Sequence, residues 1–242
     1  MRIEIVDGQD FARRAAGLVA DAIGRKRDAV LGLPTGSTPL DMYEELARRA
    51  TASEIDLSRA TAFAIDELQG VPREHPATNA SYLARALAAI PLRALRVMDS
   101  AASDPEAECA RFAALVDSAG GLDLAVLGIG RNGHLAFNEP GSTFDSRTRH
   151  VRLEDSTREP YVRYFGSLDA TPAFGLTIGM AELLTARELL LLVTGAGKAA
   201  IVARSLEGVI SEDVPASALQ RHANATVLLD RAAGAELHHA AS

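Results

Sequence analysis

Short apolar segments alternate with longer amphipathic segments along this chain, and this alternation constrains the fold more than any other feature. Residues 124–127 form an apolar run of the length of a buried strand, whereas residues 11–24 place apolar side chains at helical spacing. Strands that alternate with helices favour parallel pairing, because each crossover between parallel strands has room for a helix. We therefore predict an α/β fold: an open, mostly parallel sheet with helices on both faces, in a Rossmann-like three-layer architecture.

The remaining elements follow the same pattern. Predicted strands cover residues 3–6, 29–33, 61–65, 95–98, 124–127, 189–193 and 226–229, and predicted helices cover residues 11–24, 39–50, 79–89, 104–116 and 198–206. A loop rich in proline and polar residues is predicted from residue 66 to about residue 78. Because no Gly/Ser-rich or Pro-rich linker divides the chain, we predict that residues 1–242 form a single domain.

Composition excludes several classes of function. The formal net charge of −7 argues against nonspecific nucleic-acid binding, although a local basic pocket could still hold an anion. The sequence has no apolar run long enough for a transmembrane helix, and its first residues lack the apolar core of a signal peptide. The single cysteine, Cys109, fits a reducing compartment. We expect a cytoplasmic protein that binds neither membranes nor nucleic acids.

A glycine-rich loop with proton-handling side chains follows the predicted strand 124–127. Residues 128–140 read GIGRNGHLAFNEP, so that Asn132, His134 and Glu139 lie within eight residues of one another. Glycines allow the backbone to turn sharply, and ligands of open α/β sheets bind beyond the carboxyl ends of the strands. A connecting loop has no need of a histidine, an amide and a carboxylate together. The sequence therefore predicts a proton-transfer site, although a lone histidine near a core is usually structural.

Three other predicted strands also end in polar residues. After strand 29–33, residues 34–39 read PTGSTP, where Ser37 and Thr38 could contact an anion at a helix start or could simply cap the helix. Asp66 and Glu67 follow strand 61–65, and either could act as a general base or remain solvated. Lys198 follows a Gly-Ala-Gly turn at a predicted helix start, where a bound anion would offset its unfavourable position.

Two nucleotide-binding patterns are present only in part. The glycines of residues 128–133 have dinucleotide-binding spacing, but Pro140 follows too soon for the required helix. Residues 195–198 lack the upstream glycine and the Ser or Thr that a P-loop needs. We also find no histidine pair with zinc-site spacing. The sequence thus implies no nucleotide, metal or redox cofactor.

Taken together, these segments resemble the glucosamine-6-phosphate deaminases, also called isomerases. The resemblance extends from about residue 29 to residue 229 and rests on residues 31–39, 66–67, 74–76, 128–140, 146–149, 163–165, 176–179 and 194–198. The run from Gly133 to Pro140 is the most specific. The related 6-phosphogluconolactonases have a similar glycine-histidine turn, but their pattern lacks the Phe-Asn-Glu-Pro found here.

The resemblance implies that glucosamine 6-phosphate and water give fructose 6-phosphate and ammonia, without a metal or redox cofactor. Asp66 would move a proton between carbons 2 and 1 through an enediol-type intermediate. His134 would assist opening of the sugar ring, and Glu139 would orient His134. The implied substrate-binding residues are Thr35, Gly36, Ser37, Thr38, Glu67, Arg163 and Lys198, of which the 36–38 turn, Arg163 and Lys198 would hold the phosphate.

One departure from the family and several alternatives remain open. Many members carry aspartate where this chain has Asn132, so we expect an altered pH dependence, with Asn132 still orienting the imidazole by hydrogen bonding. The alternative functions are 6-phosphogluconolactonase, galactosamine-6-phosphate deaminase, and a sugar-phosphate sensor without catalysis. The sequence leaves open whether the protein is a monomer or a homo-oligomer.

Overall fold

A parallel sheet of seven strands lies at the centre of the protein in the computed structural model, which describes residues 1–238. The strand order is β1 (Arg2–Val6), β10 (Ala225–Asp230), β9 (Glu188–Val193), β6 (Leu124–Leu127), β2 (Val30–Leu33), β3 (Thr61–Ala64) and β5 (Ala94–Arg96). All neighbouring strands of this sheet pair in parallel. The predicted mostly parallel sheet is confirmed. Residues 239–242, which the domain prediction included, lie outside the described residues.

Helices cover both faces of the sheet. One face packs against α1 (Gly8–Arg25), α2 (Leu40–Thr51) and α3 (Asn79–Ala86), and the other packs against α4 (Pro105–Ser118), α7 (Met180–Leu184) and α8 (Ala199–Glu207). Successive side chains of β9 alternate between the two layers: Leu190 and Leu192 join one core, whereas Leu189 and Leu191 join the other. This alternation explains why the strand is apolar throughout and confirms the three-layer architecture.

A second, antiparallel sheet was not predicted. Its strands are β4 (Asp66–Leu68), β8 (Phe174–Thr177) and β7 (Arg149–Arg152), in the order β4-β8-β7. The prediction of a loop directly after residue 65 was therefore wrong for residues 66–68. These strands are short and partly polar, and each pairs with a segment distant in sequence, so that no local periodicity reveals them.

The boundaries of the predicted helices differ by a few residues from those of the structure. Helix α3 ends at Ala86 rather than at residue 89, and it begins after Thr78, whose side chain accepts a hydrogen bond from Ser81 N. Two short helices, α5 (Asp155–Arg158) and α6 (Val162–Phe165), also escaped prediction because one turn carries too little periodicity. Within residues 1–238, no helix is both long and apolar enough to cross a membrane.

The chain reverses its direction of travel across the sheet between β2 and β6. From β2 the chain continues to β3 and β5 on one side, whereas from β6 it continues to β9 and β10 on the other. Such a switch point opens a crevice at the carboxyl ends of the strands, where ligands of open α/β sheets bind. The strands β9, β6, β2 and β3 are adjacent. Their carboxyl ends carry the four polar segments that the sequence singled out.

Candidate active site

The loop after β6 is a tight turn that depends on its glycines. Gly130 N donates to His134 O at 3.0 Å and Gly133 N donates to Gly130 O at 3.1 Å, while Gly133 has a φ of 91°. A Cβ atom on Gly130 would lie 2.3 Å from the Cε1 and Nδ1 atoms of His134. Glycine at position 130 therefore makes room for the imidazole ring against the backbone of the turn.

His134 is held by a carboxylate and a hydroxyl. Its Nδ1 atom lies 3.3 Å from Glu139 Oε2 and 3.2 Å from Thr157 Oγ1. Burial alone raises the pKa of Glu139, but hydrogen bonds and the charge of the imidazole bring it down to about 2. An ionised Glu139 favours a proton on Nδ1, so that Nε2 becomes the ring atom available to a substrate. The predicted pairing of Glu139 with His134 corresponds to this contact.

Asn132 lies beside Glu139 rather than beside the imidazole ring. Its Nδ2 atom donates to Glu139 Oε2 at 2.8 Å, and its Oδ1 atom accepts from the backbone N of His134 at 3.2 Å. The expected direct hydrogen bond from Asn132 to the imidazole is thus replaced by two indirect contacts. The asparagine satisfies a buried carboxylate and fixes the backbone that carries the histidine.

Asp66 lies at the start of β4 with 8% of its surface exposed. Burial raises the pKa of its carboxyl to about 7, and a hydrogen bond from Asn79 acts in the opposite direction. That bond joins Asn79 Nδ2 to Asp66 Oδ1 at 2.6 Å. A carboxyl that titrates near neutral pH can accept a proton from carbon and return it within one turnover, which general base catalysis requires.

Glu67 is completely buried, and its carboxylate binds backbone N–H groups. Its carboxylate accepts hydrogen bonds from the N–H groups of Leu68, Asn79 and Ala80, each at 2.8 Å. Burial raises the pKa of Glu67 to about 7, although the backbone hydrogen bonds oppose the shift. The side chain joins β4 to the first turn of α3. The predicted substrate contact of Glu67 stays a prediction, and the contacts seen here are all to backbone N–H groups.

No side chain of the turn after β2 caps helix α2. Helix α2 begins at Leu40, and no side chain caps it, so the alternative in which Ser37 or Thr38 caps this helix is wrong. Gly36 has a φ of 109°, a conformation that glycine adopts readily. Both Gly36 and Ser37 are exposed. Thr38 Oγ1 lies 3.2 Å from Thr194 Oγ1, and this contact joins the turn to the segment after β9.

Lys198 connects two of the loops that border the crevice. It directly precedes α8, and its Nζ atom donates to Ile129 O at 2.7 Å. Burial, and secondarily the positive charge of Arg131, lower the pKa of Lys198. The neighbouring positive charge of Arg131 makes the surroundings of Lys198 more attractive to an anion. Arg131 was not singled out in the sequence, because an exposed arginine in a loop is ordinarily solvated.

Arg163, a predicted phosphate contact, lies beside an aromatic neighbour. It lies on α6 and is exposed, and its guanidinium stacks 4.8 Å from the centre of the Tyr164 ring. Tyr82 OH donates to Gly36 O at 2.5 Å. Burial raises the pKa of Tyr82 to about 12, and the positive charge of Arg85 opposes this rise. Tyr82 thus contacts the turn after β2, and the phosphate contact of Arg163 stays a prediction.

The small sheet connects Asp66 with the histidine loop. Thr177 of β8 pairs with Asp66 across the sheet, and its Oγ1 atom accepts a hydrogen bond from Phe137 N at 3.1 Å. Asn138, which follows, donates from Nδ2 to Leu135 O and Ile178 O, both at 2.9 Å. One strand therefore fixes the two predicted catalytic segments relative to each other.

The segment at residues 155–161 also connects the surroundings of Asp66 with His134. Thr157 contacts His134 Nδ1, and Tyr161 OH donates at 3.2 Å to Asn79 Oδ1, next to Asp66. Thr157 belongs to α5, and Tyr161 ends the short 3₁₀ helix Glu159–Tyr161 that follows it. One short segment therefore contacts both His134 and the Asn79 neighbour of Asp66.

Comparison with known proteins identifies the family. The sequence model of the glucosamine-6-phosphate isomerases/6-phosphogluconolactonase family matches residues 8–228. A glucosamine-6-phosphate deaminase of Bacillus subtilis is 43% identical over 228 residues, which are 93% of this chain and 94% of the relative. The chain belongs to this family. A solved monomeric glucosamine-6-phosphate deaminase of the NagB superfamily is 40% identical, with a TM-score of 0.93 over 98% of this chain and 100% of that one.

The lactonase branch of the family is more distant. A 6-phosphogluconolactonase of Leishmania guyanensis has a TM-score of 0.74 at 20% identity, over 96% of this chain and 97% of that chain. At that identity, the similarity concerns the fold alone.

Within this family member, the structure adds positions that sequence reasoning did not find. Asn79 contacts Asp66, Tyr161 contacts Asn79, and Thr157 contacts His134. Asn79 follows a helix cap and was interpreted only as part of a helix start. Among residues 1–238, no three His, Cys, Asp or Glu side chains are grouped so that they could hold a metal ion.

Proposed function

We propose that this chain converts glucosamine 6-phosphate and water into fructose 6-phosphate and ammonia. The observation that carries the proposal is that one segment, residues 155–161, contacts His134 through Thr157 and the Asn79 neighbour of Asp66 through Tyr161. In the proposed reaction, the imidazole and the Asp66 carboxyl act on the same substrate. The deaminase names of the similar proteins agree with that chemistry.

Each group has a distinct task in the proposed reaction. The turn at residues 36–38, together with Lys198 and Arg163, holds the phosphate, since glycine-rich turns and cations bind anions. His134, oriented by Glu139, transfers a proton at the ring oxygen and opens the pyranose. Asp66 then takes the proton from carbon 2 and delivers it to carbon 1. Water adds at carbon 2, and ammonia leaves.

A coupled assay tests the function directly. We expect glucosamine 6-phosphate to yield fructose 6-phosphate and ammonia in equal amounts, measured in parallel by separate enzymatic detection of the two products. Galactosamine 6-phosphate and 6-phosphogluconolactone serve as the competing substrates. Hydrolysis of the lactone at a higher kcat/KM than deamination would contradict the proposal, and preference for the galactosamine epimer would redirect it.

Asn132→Asp should alter the pH dependence of kcat. The substitution replaces the donor to Glu139 Oε2, now at 2.8 Å, with a second carboxylate. Two adjacent carboxylates cannot both ionise freely, so the pKa of Glu139 should rise from about 2 and weaken its hold on His134. We expect the acidic side of the kcat profile to change shape, because the new carboxylate pair adds an ionisation that the parent lacks there. Asn224→Asp, an exposed asparagine at the opposite edge of the sheet, is the matched control, and identical profiles for Asn132→Asp and the parent would refute the role assigned to Asn132.

We also infer that a single domain, predicted over residues 1–242, performs this reaction in the cytoplasm. The inference of one domain is supported by the single parallel sheet that contributes all four loops. The cytoplasmic assignment is supported by the burial of the only cysteine, Cys109, as a free thiol. A sugar phosphate is the proposed partner.

A further inference from the structure

We propose that Asn79 is a positioning residue that aims the Asp66 carboxylate at the substrate and links it to the turn after β2. The proposal rests on the proposed function, because it assigns Asp66 the role of base. Asn79 is the first residue of α3 and only 2% exposed. A buried asparagine side chain must satisfy two donors and an acceptor, so its hydrogen-bond partners indicate its role.

Both donor bonds of Asn79 are made to a single residue. Its Nδ2 atom donates to Asp66 Oδ1 at 2.6 Å and to the backbone O of Asp66 at 3.1 Å. This pair of bonds fixes the carboxylate relative to its own main chain. It also occupies Oδ1, which leaves Oδ2 as the oxygen that accepts the proton from carbon 2.

The acceptor side of the amide determines its orientation. Thr35 Oγ1 and Tyr161 OH both donate to Asn79 Oδ1, each at 3.2 Å. Because two hydroxyl donors face the oxygen, a flipped amide would place N–H groups against them and an oxygen against a carboxylate. The backbone of Asn79 is held independently, since its N–H donates to Glu67 Oε1 at 2.8 Å. The amide therefore has one orientation.

The same network links substrate binding to the base. Thr35 begins the turn proposed to hold the phosphate, and Tyr161 belongs to the helical segment that also contacts His134 through Thr157. A displacement of either segment changes the hydrogen bonds to a single amide oxygen. The position of Asp66 thus depends on both the turn and the helical segment.

The hydrogen bond from Asn79 affects the pKa of Asp66, which can be measured. Glu67, Tyr43 and Tyr161 are the titratable groups that interact electrostatically with Asp66. Burial raises the pKa of Asp66 to about 7, and the hydrogen bond from Asn79 opposes that rise. Removal of the donor should raise the pKa further. A base must be ionised to act, so the acidic limb of kcat/KM should then move to higher pH.

Asn79→Ala tests the proposal without placing a charge beside Asp66. Alanine removes the amide donor to Asp66 Oδ1 and the acceptor for Thr35 and Tyr161. We expect the acidic limb of kcat/KM to move up by about one to two pH units, and kcat/KM at pH 7 to fall roughly 10–10²-fold, as for the loss of a hydrogen bond to a charged group. Asn224→Ala, at an exposed position, is the control and should leave both unchanged.

Tyr161→Phe provides a second variant that spares the start of α3. It removes one of the two donors that orient the amide, and we expect a smaller shift in the same direction. An unmoved acidic limb in both variants, even with reduced kcat, would show that Asn79 is merely structural and would overturn the proposal.

A measurement without turnover separates this proposal from the function itself. The pKa of the Asp66 carboxyl can be followed by ¹³C NMR in the substrate-free protein and in Asn79→Ala, which removes the donor without adding a charge. A higher pKa in the variant supports the role of Asn79 even if the deaminase assay fails. An equal pKa in the two proteins overturns that role even if the assay succeeds.

Discussion

Asp66→Asn should lower kcat by at least about 10²-fold while fructose 6-phosphate still binds. The substitution keeps the size of the side chain but removes the basic oxygen that would take the proton from carbon 2. The proposed phosphate contacts at residues 36–38 and at Lys198 are distant in sequence and stay intact. Turnover is measured by the coupled assay, and binding by calorimetry with the product.

The environment of Asp66 makes this variant suitable for the test. The carboxyl is 8% exposed, and its Oδ1 atom already faces an amide donor, so an asparagine amide has room there without a change in packing. Asp21→Asn, on the exposed surface of α1, is the matched control and should keep full activity. Turnover within tenfold of the parent would remove Asp66 from the role of base.

Gly130→Ala should lower kcat/KM by about 10²-fold without unfolding the protein. An alanine Cβ would stand 2.3 Å from two atoms of the His134 ring and 2.6 Å from its Cγ atom, so the imidazole must move. That movement breaks the 3.3 Å contact between His134 Nδ1 and Glu139 Oε2. A displacement of about 1 Å in a catalytic group can cost that much activity.

A second glycine provides the control for this experiment. Gly24, near the end of α1, has open space around its Cα, and Gly24→Ala should leave kcat/KM unchanged while the thermal midpoint stays equal or rises slightly. Circular dichroism and the thermal midpoint establish that Gly130→Ala is folded. A folded Gly130→Ala variant with parental kcat/KM would mean that the observed position of His134 is not needed for activity.

Much of the central sheet could be predicted from the sequence because its signals are local. The strand at residues 124–127 was predicted with the bounds that the structure has, and the strand at 189–193 differs by one residue. Both strands are buried on two faces, so their apolar runs are continuous and their ends are marked by glycine or polar residues. The β4-β8-β7 sheet lacked such a signal, since its pairing joins residues such as Asp66 and Thr177 that are far apart in the chain.

In the candidate site, too, some contacts could be predicted from the sequence and others could not. His134 and Glu139 are five positions apart in a glycine-bounded loop, and the family resemblance implied the contact that the structure shows between them. Asn79 could not be related to Asp66, nor Thr157 to His134, because only the packing of α3 and of residues 155–161 against the strand ends brings them together. The alternative roles of Ser37 and Thr38 also required the structure, which shows α2 beginning without a side-chain cap.

The sequence by itself determined the layered α/β architecture, the four polar strand ends and the chemical types of the groups on them. Periodicity and turn residues act over a few positions and are therefore readable along the chain. Only the tertiary structure decided which oxygen of Asp66 is engaged, that Thr157 joins Glu139 beside His134, and that Glu67 binds the backbone at the start of α3. Hydrogen-bond geometry and burial arise between segments distant in sequence, and these set both the direction of each side chain and the pKa at which it exchanges a proton.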